Sequence, residues 1–493
     1  MADKTIKTRG WTLWSRSGYR GPSDLKPGGG TGGDPEPDDP DDPDEPPDQD
    51  DPGPAGARAP APAARRRPAR PRPAGTGTLI DQIIADRAIR IEYQAVHDTE
   101  HGQVVGFEAL TRGPEGPLRS PVQLFAAAQA AGRLGELDWI CRVTAFREML
   151  DAGLPPSISL FVNVEADSLI EPCPPDLLPT VQEAEQRLRV YVDLTGRAIS
   201  RFPCQALETA RRARAANWGV AINDIEFSAA GAALLPTLEP DVVKLNHQLI
   251  SSGLGQANIA LIAAMAECER TRAALLVERV ENSDAAMIAR AAGSHFQQGH
   301  LLGKPGPLPE HLPQPLQPIP LLVHPDPDET VSTPWGVLSA GGARLTSAVS
   351  QAGLDHLILG ITTRAAVGDQ PPAVAVVIPA TAEMAPERQV MFTMLLERCP
   401  LIIIVGPNVS AWSDWRVRAA DMPVGHAYTH ETCFVVLSPG LSMAVAGQPH
   451  GGHPQDPPMW DIAVSQNPDL CRTVMRQILC TVDTLAGGVH HHG

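Results

Sequence analysis

No run of eighteen apolar residues occurs anywhere in the chain, and its first residues lack the apolar core of a secretory signal. The first absence argues against a membrane-spanning helix, the second against export. No Cys-x-x-Cys pair is present, and the eight cysteines are scattered without regular spacing. That usage fits a reducing compartment and speaks against a zinc site. Positive charge is in short supply: the formal net charge is −17, which argues against nonspecific nucleic-acid binding by the protein as a whole. Aromatic residues make up only 4%, while alanine, glycine and proline are abundant, the bias of a GC-rich genome. The expectation is a soluble, cytoplasmic protein. A length of 493 residues suggests two or three domains, with apolar residues enough for a large core.

What the chain does contain is one event, repeated. The apolar run Val104–Phe107 stops at Glu108, and Arg112 follows four residues later. Ile158–Val162 ends at Asn163, Leu188–Val192 at Asp193, and Val220–Ile222 at Asn223-Asp224. Val242-Val243 ends at Lys244, Leu275–Val277 at Glu278, and Phe296 leads into Gln297-Gln298-Gly299. Helical spacing fills the intervals, as at Pro121–Leu137 and Cys204–Asn217. Strand, polar tip and helix in repetition predict an α/β fold, a (β/α)8 TIM-like barrel with its active site on the C-terminal strand ends. A short helix over Leu79–Ala88 leads into a first strand at Ile89–Val96, and His97–Gly102 makes a hairpin-type turn.

The stretch Gly106-Phe107-Glu108-Ala109-Leu110-Thr111-Arg112 resembles the signature of the EAL domain. The resemblance runs from about Leu79 to Leu308. Tyr93-Gln94 opens it, Phe161–Val164 and Val243-Lys244-Leu245 continue it, and Val277–Glu281 and Gln298-Gly299-His300 close it. It implies a metal-dependent phosphodiesterase that opens the bacterial second messenger cyclic di-GMP to its linear dinucleotide. Such a reaction needs an activated water, neutralised phosphoryl oxygens and in-line geometry, which two divalent ions supply together. Mg²⁺ and Mn²⁺ take oxygen ligands, so carboxylates and an amide at converging strand ends are the expected residue types.

By the resemblance, the metal ligands are Glu108, Asn163, Asp193, Asn223 and Asp224; Lys244 and Glu278 orient or deprotonate the water. Gln298 helps to hold the reacting centre, and Arg112 contacts a substrate phosphate. Each of these residues also fits a rim polar group bonded to a loop, equally so for Gln298 and Arg112 taken singly; the ordered set carries the reading. Four departures cluster at the metal positions. Asp193 stands where the family has Glu, and Asn223 where it has the first of two aspartates. Gly196 replaces a glutamate that braces a loop, and that loop reads Asn223-Asp224-Ile225-Glu226-Phe227-Ser228 rather than Asp-Asp-Phe-Gly-Thr-Gly. Loss of one supporting partner at a metal site costs about 10- to 100-fold, so the combination points to a degenerate site with very low turnover. Glu226 as a substitute ligand, or a bridging water at Asp193, would be the routes of rescue.

Residues 1–77 are expected to be a disordered low-complexity region. Asp34–Asp51 is a run of Asp, Glu and Pro, and Arg58–Arg72 one of Arg, Pro and Ala. Met1–Arg20 is basic and carries Trp11, Trp14 and Tyr19; an unstructured tail and a short docking peptide both fit. The barrel is assigned to 78–308, a Pro-rich linker to 309–333, a second, smaller α/β domain to 334–487, and a tail to 488–493. In the second domain strands are expected at His356–Ile361, Ala373–Ile378, Leu401–Val405, Cys433–Leu437 and Ser442–Ala446. Helices are expected at Ala343–Ala352, Ala385–Arg398 and Pro468–Leu485. This region is similar to the DICT domain, a sensory module found beside cyclic di-GMP domains, through Glu387-Arg388, Leu401–Gly406, Phe434–Gly440 and Met459-Trp460-Asp461. Trp412, Trp415 and His430 fit a ligand pocket or ordinary packing, and His490–His492 a loose tail.

Three functions stay open on the sequence: a degenerate receptor for cyclic di-GMP or a related nucleotide, a working phosphodiesterase, and an interaction scaffold that binds no nucleotide. The resemblance also implies a homodimer through helices beside the Asn223 loop, and the second domain would take a ligand or protein of its own. No Gly-Gly-Asp-Glu-Phe sequence occurs, which excludes synthesis of cyclic di-GMP on motif grounds.

Overall fold

The computed structural model describes residues 78–487 except 170, 226–228, 248–255, 324–331, 368–371, 380–385, 411–413 and 452–456. The region 1–77, Glu226, Trp412 and His490–His492 therefore lie outside the described residues. Helix α1 (Leu79–Asp86) opens the fold and is started by a capping box in which Thr78 and Asp81 bond reciprocally. Eight strands then close into a barrel in chain order. They are β1 (Arg90–Asp98), β2 (Val104–Arg112), β3 (Ser159–Val164), β4 (Arg189–Thr195), β5 (Gly219–Asn223), β6 (Val242–Asn246), β7 (Ala274–Glu278) and β8 (Phe296–Gln297). β2 to β8 pair in parallel, but β1 is antiparallel to both its neighbours, because the tight turn at 99–103 returns it directly as a hairpin with β2.

The helices between the strands are α2 (Pro121–Ala131), α3 (Leu134–Asp151), α4 (Leu178–Arg187), α5 (Gly196–Arg201) and α6 (Pro203–Ala215). They continue with α7 (Ala229–Leu238), α8 (Gln256–Thr271) and α9 (Ser283–Ala291). The single helix expected over Pro121–Leu137 is two. Gly132 ends α2 in the left-handed region at φ 68°, which glycine reaches without steric cost, and the chain restarts as α3.

The second domain is built on a seven-stranded mixed sheet in the order β12-β11-β10-β13-β14-β15-β9. Its elements are α10 (Pro334–Ala340), β9 (Arg344–Ser350), α11 (Gln351–Val367), β10 (Ala373–Val377), α12 (Pro386–Arg398) and β11 (Leu401–Gly406). They run on through β12 (Val417–Asp421), β13 (Thr432–Ser438), β14 (Leu441–Pro449), β15 (Met459–Ser465) and α13 (Pro468–Gly487). Two expectations are reversed here. The apolar run at His356–Ile361 lies within α11, where Leu354, Ile358, Ile361 and Ala365 recur at helical spacing and are buried. Ala343–Ala352 holds the exposed edge strand β9, secured by pairing with β15 rather than by burial.

Period-two alternation divides the sheet between two cores. Val374, Val376, Ile402, Ile404, Phe434 and Val436 face α11 and α12. Ala373, Ala375, Val377, Ile403, Val405 and Val435 join a core with α13 and with the barrel's α6 and α7. Helix α7 is buried throughout Gly231–Leu238, which explains why it shows no polar stripe. The described residues, 78–487, accordingly belong to one compact unit. The proline-rich connector is also packed: Ile319 is fully buried in the barrel's lower core beside Phe161, Tyr191 and Phe296. Its backbone carbonyl accepts from the Tyr191 hydroxyl at 2.9 Å. Ile319 thus helps to floor the barrel.

Candidate functional site

One rule of strand geometry assembles the site. Side chains on a strand alternate faces, so the residue two positions beyond an interior core residue also points inward. Phe161, Tyr191, Ala221, Val242, Leu276 and Phe296 form the barrel's inner apolar layer. Two residues on stand Asn163, Asp193, Asn223, Lys244, Glu278 and Gln298, with Glu108 completing the ring from β2. The polar tips are thus a second layer stacked on the first. Phe161 and Tyr191 stack at 4.9 Å between centroids, and Lys244 Nζ lies 5.6 Å above the Phe161 ring.

Lys244 is the hub of that layer. It lies within β6 rather than after it and is fully buried. Its Nζ pairs with Asp193 Oδ2 at 2.6 Å, Glu278 Oε1 at 2.6 Å and Glu108 Oε1 at 3.1 Å. Burial alone would lower the lysine's pKa, but the three carboxylates outweigh it and hold the ammonium charged. Burial pushes the Glu108 carboxyl up, yet Lys244 and hydrogen bonds from Gln298 and Asn163 leave it below its ordinary value. Asp193 goes the other way. Burial, reinforced by Glu108 and Glu278, outweighs Lys244 and pushes it up to about 7. Glu278 is likewise raised, first by burial and then by Glu108 and Asp224.

Gln298 Nε2 donates to Glu108 Oε2 at 2.7 Å, and Asn163 Nδ2 donates to Glu108 Oε1 at 3.2 Å. Gln94 receives a second bond from Gln298 at 3.2 Å and itself donates to the Gly303 carbonyl. This makes Gln94 a positioning residue that the sequence reading placed in a motif but gave no role. Asp138 on α3 is another. It accepts from Ser168 Oγ at 2.6 Å and from Arg142 at 2.7 Å, fixing the loop beyond Asn163. Only its burial in the fold reveals it, since nothing around it in the sequence resembles a motif.

Asn223 and Asp224 stand together at the rim. The Asn223 Oδ1 accepts the Asp224 backbone N–H at 2.7 Å, and Asp224 sits at φ 53°. Gly196 explains how this loop is held. A Cβ at Gly196 would lie 2.9 Å from the Asp224 carbonyl oxygen and 3.0 Å from Ile225 Cα. From the other side, a Cβ at Gly231 would lie 2.7 Å from the Gly196 carbonyl oxygen. Backbone packs directly on backbone where the family's glutamate would stand. Arg112 bonds Glu92 at 2.9 Å on the adjacent strand and lines a hollow of about 270 Å³ with Asn163, Arg142 and Phe125. Glu108, Asn223, Glu278 and Gln298 line a neighbouring hollow of about 190 Å³ with Gln94, Arg279 and His300.

The donor atoms are hard oxygens, the right chemistry for Mg²⁺ or Mn²⁺. Three of the carboxylates converge on an ammonium, Asn223 contributes no charge, and among the described residues no three His, Cys, Asp or Glu side chains form a group able to hold an ion.

The profile of the EAL domain matches residues 79–305. An uncharacterized protein y4lL of Sinorhizobium fredii is 27% identical over 237 residues, 46% of this chain and 28% of its own. The probable cyclic di-GMP phosphodiesterase PdeB of Escherichia coli is 25% identical over 239 residues, 47% of this chain and 46% of its own. The chain thus spans between about a quarter and a half of the length of the curated relatives it matches. Among solved structures, the manganese and cyclic di-GMP complex of Klebsiella pneumoniae BlrP1 aligns with a TM-score of 0.38 and 25% identity, over 44% of this chain and 56% of that one. Residues 79–305 are an EAL domain.

Proposed function

We propose that the barrel is a degenerate EAL domain that binds cyclic di-GMP, or a related nucleotide, with weak or no hydrolysis. The binding event is passed to a partner or to the second domain, which we take to be a DICT-like sensory module with a ligand of its own, over the boundaries 78–308, 309–333 and 334–487. The ligand class rests on the EAL match and on the relative named as a probable cyclic di-GMP phosphodiesterase. The observation that carries the loss of turnover is the engagement of Lys244 with Glu108, Asp193 and Glu278, beside an Asn223 whose oxygen is tied to the Asp224 backbone. A divalent ion, when bound at such a rim, supplies charge neutralisation and an activated water. Here the lysine already holds the anionic edge of two of the ligands, Glu108 and Asp193, together with Glu278.

The nucleotide's phosphates are repelled by Glu108, Asp193, Asp224 and Glu278, which outnumber the single ammonium. They dock instead over the adjoining hollow, where Glu92 fixes the Arg112 guanidinium and Asn163 offers an amide. Removing a charge-assisted contact of this kind costs about tenfold or more in affinity. Equilibrium dialysis with labelled cyclic di-GMP tests this: the wild type retains the nucleotide and Arg112→Ala weakens it at least about tenfold. Retention by neither protein leaves the scaffold reading; equal retention by both overturns the phosphate site.

One observation favours a working phosphodiesterase instead. Asp193 Oδ1 and Gln298 Oε1 are buried without a hydrogen-bond partner among the described residues, and a bound cation or water would satisfy both. A homodimer through the barrel stays part of the proposal. The second domain covers α7, beside the Asn223 loop, so pairing has to use another part of the barrel.

A further inference from the structure

Cys204 and Cys480 meet across the seam between the barrel and the second domain. Cys204 is the second residue of α6, and its backbone N–H bonds Asp483, one turn along α13 from Cys480, which brings the two cysteines together. We propose that this pair is a redox modification site, at which a hydroperoxide closes an interdomain disulfide.

Several independent features converge on it. Both residues are partly exposed, whereas Cys141, Cys268, Cys399, Cys433 and Cys471 are buried. Ala206, Ala210 and Ala213 line the face of α6 that shares a core with α13, and these small side chains let the two helices lie close. The seam is held in register by Asp483, whose Oδ2 accepts the Cys204 backbone N–H at 3.3 Å. Arg418 bonds Asp483 Oδ1 at 3.2 Å and the Arg201 carbonyl at 3.0 Å, tying the same corner from the sheet. Cys204 also sits in the first turn of a 13-residue helix, where the macrodipole favours a thiolate. Its thiol is held below the ordinary value, first by the hydrogen bond from Cys480, while Cys480 is correspondingly raised. Cys204 is therefore the attacking sulfur and Cys480 the resolving one.

The chemistry closes without a further reactant. The Cys204 thiolate attacks the hydroperoxide oxygen, breaking the O–O bond; a sulfenic acid forms and an alcohol, or water from hydrogen peroxide, leaves after protonation. Cys480 loses its proton and attacks the Cys204 sulfur, expelling the sulfenic oxygen as water. Two thiols give up two electrons, and one hydroperoxide is reduced.

The test uses the full chain. Protein is treated with stoichiometric hydrogen peroxide, remaining thiols are blocked with iodoacetamide, and peptides from a non-reducing digest are weighed. The expected product joins the Cys204 and Cys480 peptides, with a combined mass short by two hydrogens, and reverts with dithiothreitol. Cys480→Ser traps a sulfenic acid on Cys204, detected with dimedone, and Cys204→Ser leaves Cys480 as the free thiol. Cys173, also partly exposed but donating to the Pro174 carbonyl, stays unlinked as the internal control. Circular dichroism confirms that both serine variants are folded. Alkylation of both thiols after peroxide, or a bond from either to another cysteine, overturns the proposal.

Discussion

At the rim one ammonium faces Glu108, Asp193 and Glu278, and each carboxylate's state depends on it. Breaking a buried ion pair by removing one partner costs about 3–5 kcal/mol, because the remaining charge has no water to turn to. Lys244→Met is therefore expected to lower unfolding stability by about that amount in urea titrations at neutral pH. A loss under about 1 kcal/mol would show that the carboxylates are solvated instead. Gly196 gives a second prediction at this scale. Gly196→Glu restores the family residue, yet its Cβ has no room beside the Asp224 and Ile225 backbone. It should destabilise by about 1–3 kcal/mol rather than rescue activity, read as a falling urea midpoint. Restoring Asn223→Asp and Asp193→Glu together, with Gly196 kept, is expected to raise Mn²⁺ affinity. An unchanged metal titration in that double variant would remove the ligand losses as the cause of the low turnover we propose.

Elements were legible where a local rule decides them. On β3 to β8 a polar residue stands two positions past an inner core residue, and with Glu108 of β2 the seven ring members could be placed from the run of polar tips. Gln94 and Asp138 escaped because they act through other side chains, and their partners are distant in the chain. The α11 and β9 reversal has a similar cause. His356–Ile361 is apolar at every second and every third position, and only the sheet beneath it selects the helical face. Helix α6 was read correctly, and its acid sensitivity follows from its own charges. Arg211, then Arg212, hold Glu208 down to about 2 against the opposing effect of burial. A depressed carboxylate stabilises the fold above its ordinary value of 4.5 and loses that contribution as pH falls through about 2. Because Glu208 is partly exposed, Glu208→Gln should cost no more than about 1 kcal/mol at pH 7, and the difference from wild type should vanish below about pH 2. Stability measured across that range checks the sign.

Across the whole molecule, the second domain reaches within one helix of the site. Helix α7 follows the Asn223 loop and is packed between the barrel and the sheet's β10 and β13. Nothing in the sequence signalled this: α7 reads as an apolar helix, and its covering partner begins about a hundred residues later. Glu239, just past α7, pairs with Arg476 at 3.0 Å and with Arg472, which is almost fully buried. Glu239→Ala should therefore cost about 3–5 kcal/mol and split one unfolding transition into two as the domains separate; one transition at an unchanged midpoint would show that the seam does not couple them. The measurement that tests the central claim most directly is a single-turnover incubation. Protein in excess over cyclic di-GMP, with Mn²⁺ or Mg²⁺, is resolved by ion-pair chromatography after minutes and after a day. The account predicts intact cyclic nucleotide co-eluting with the protein at both times. Linear dinucleotide that disappears on chelation and in Glu108→Ala would contradict it and make the departures at Asp193, Gly196 and Asn223 the tuning of a working enzyme.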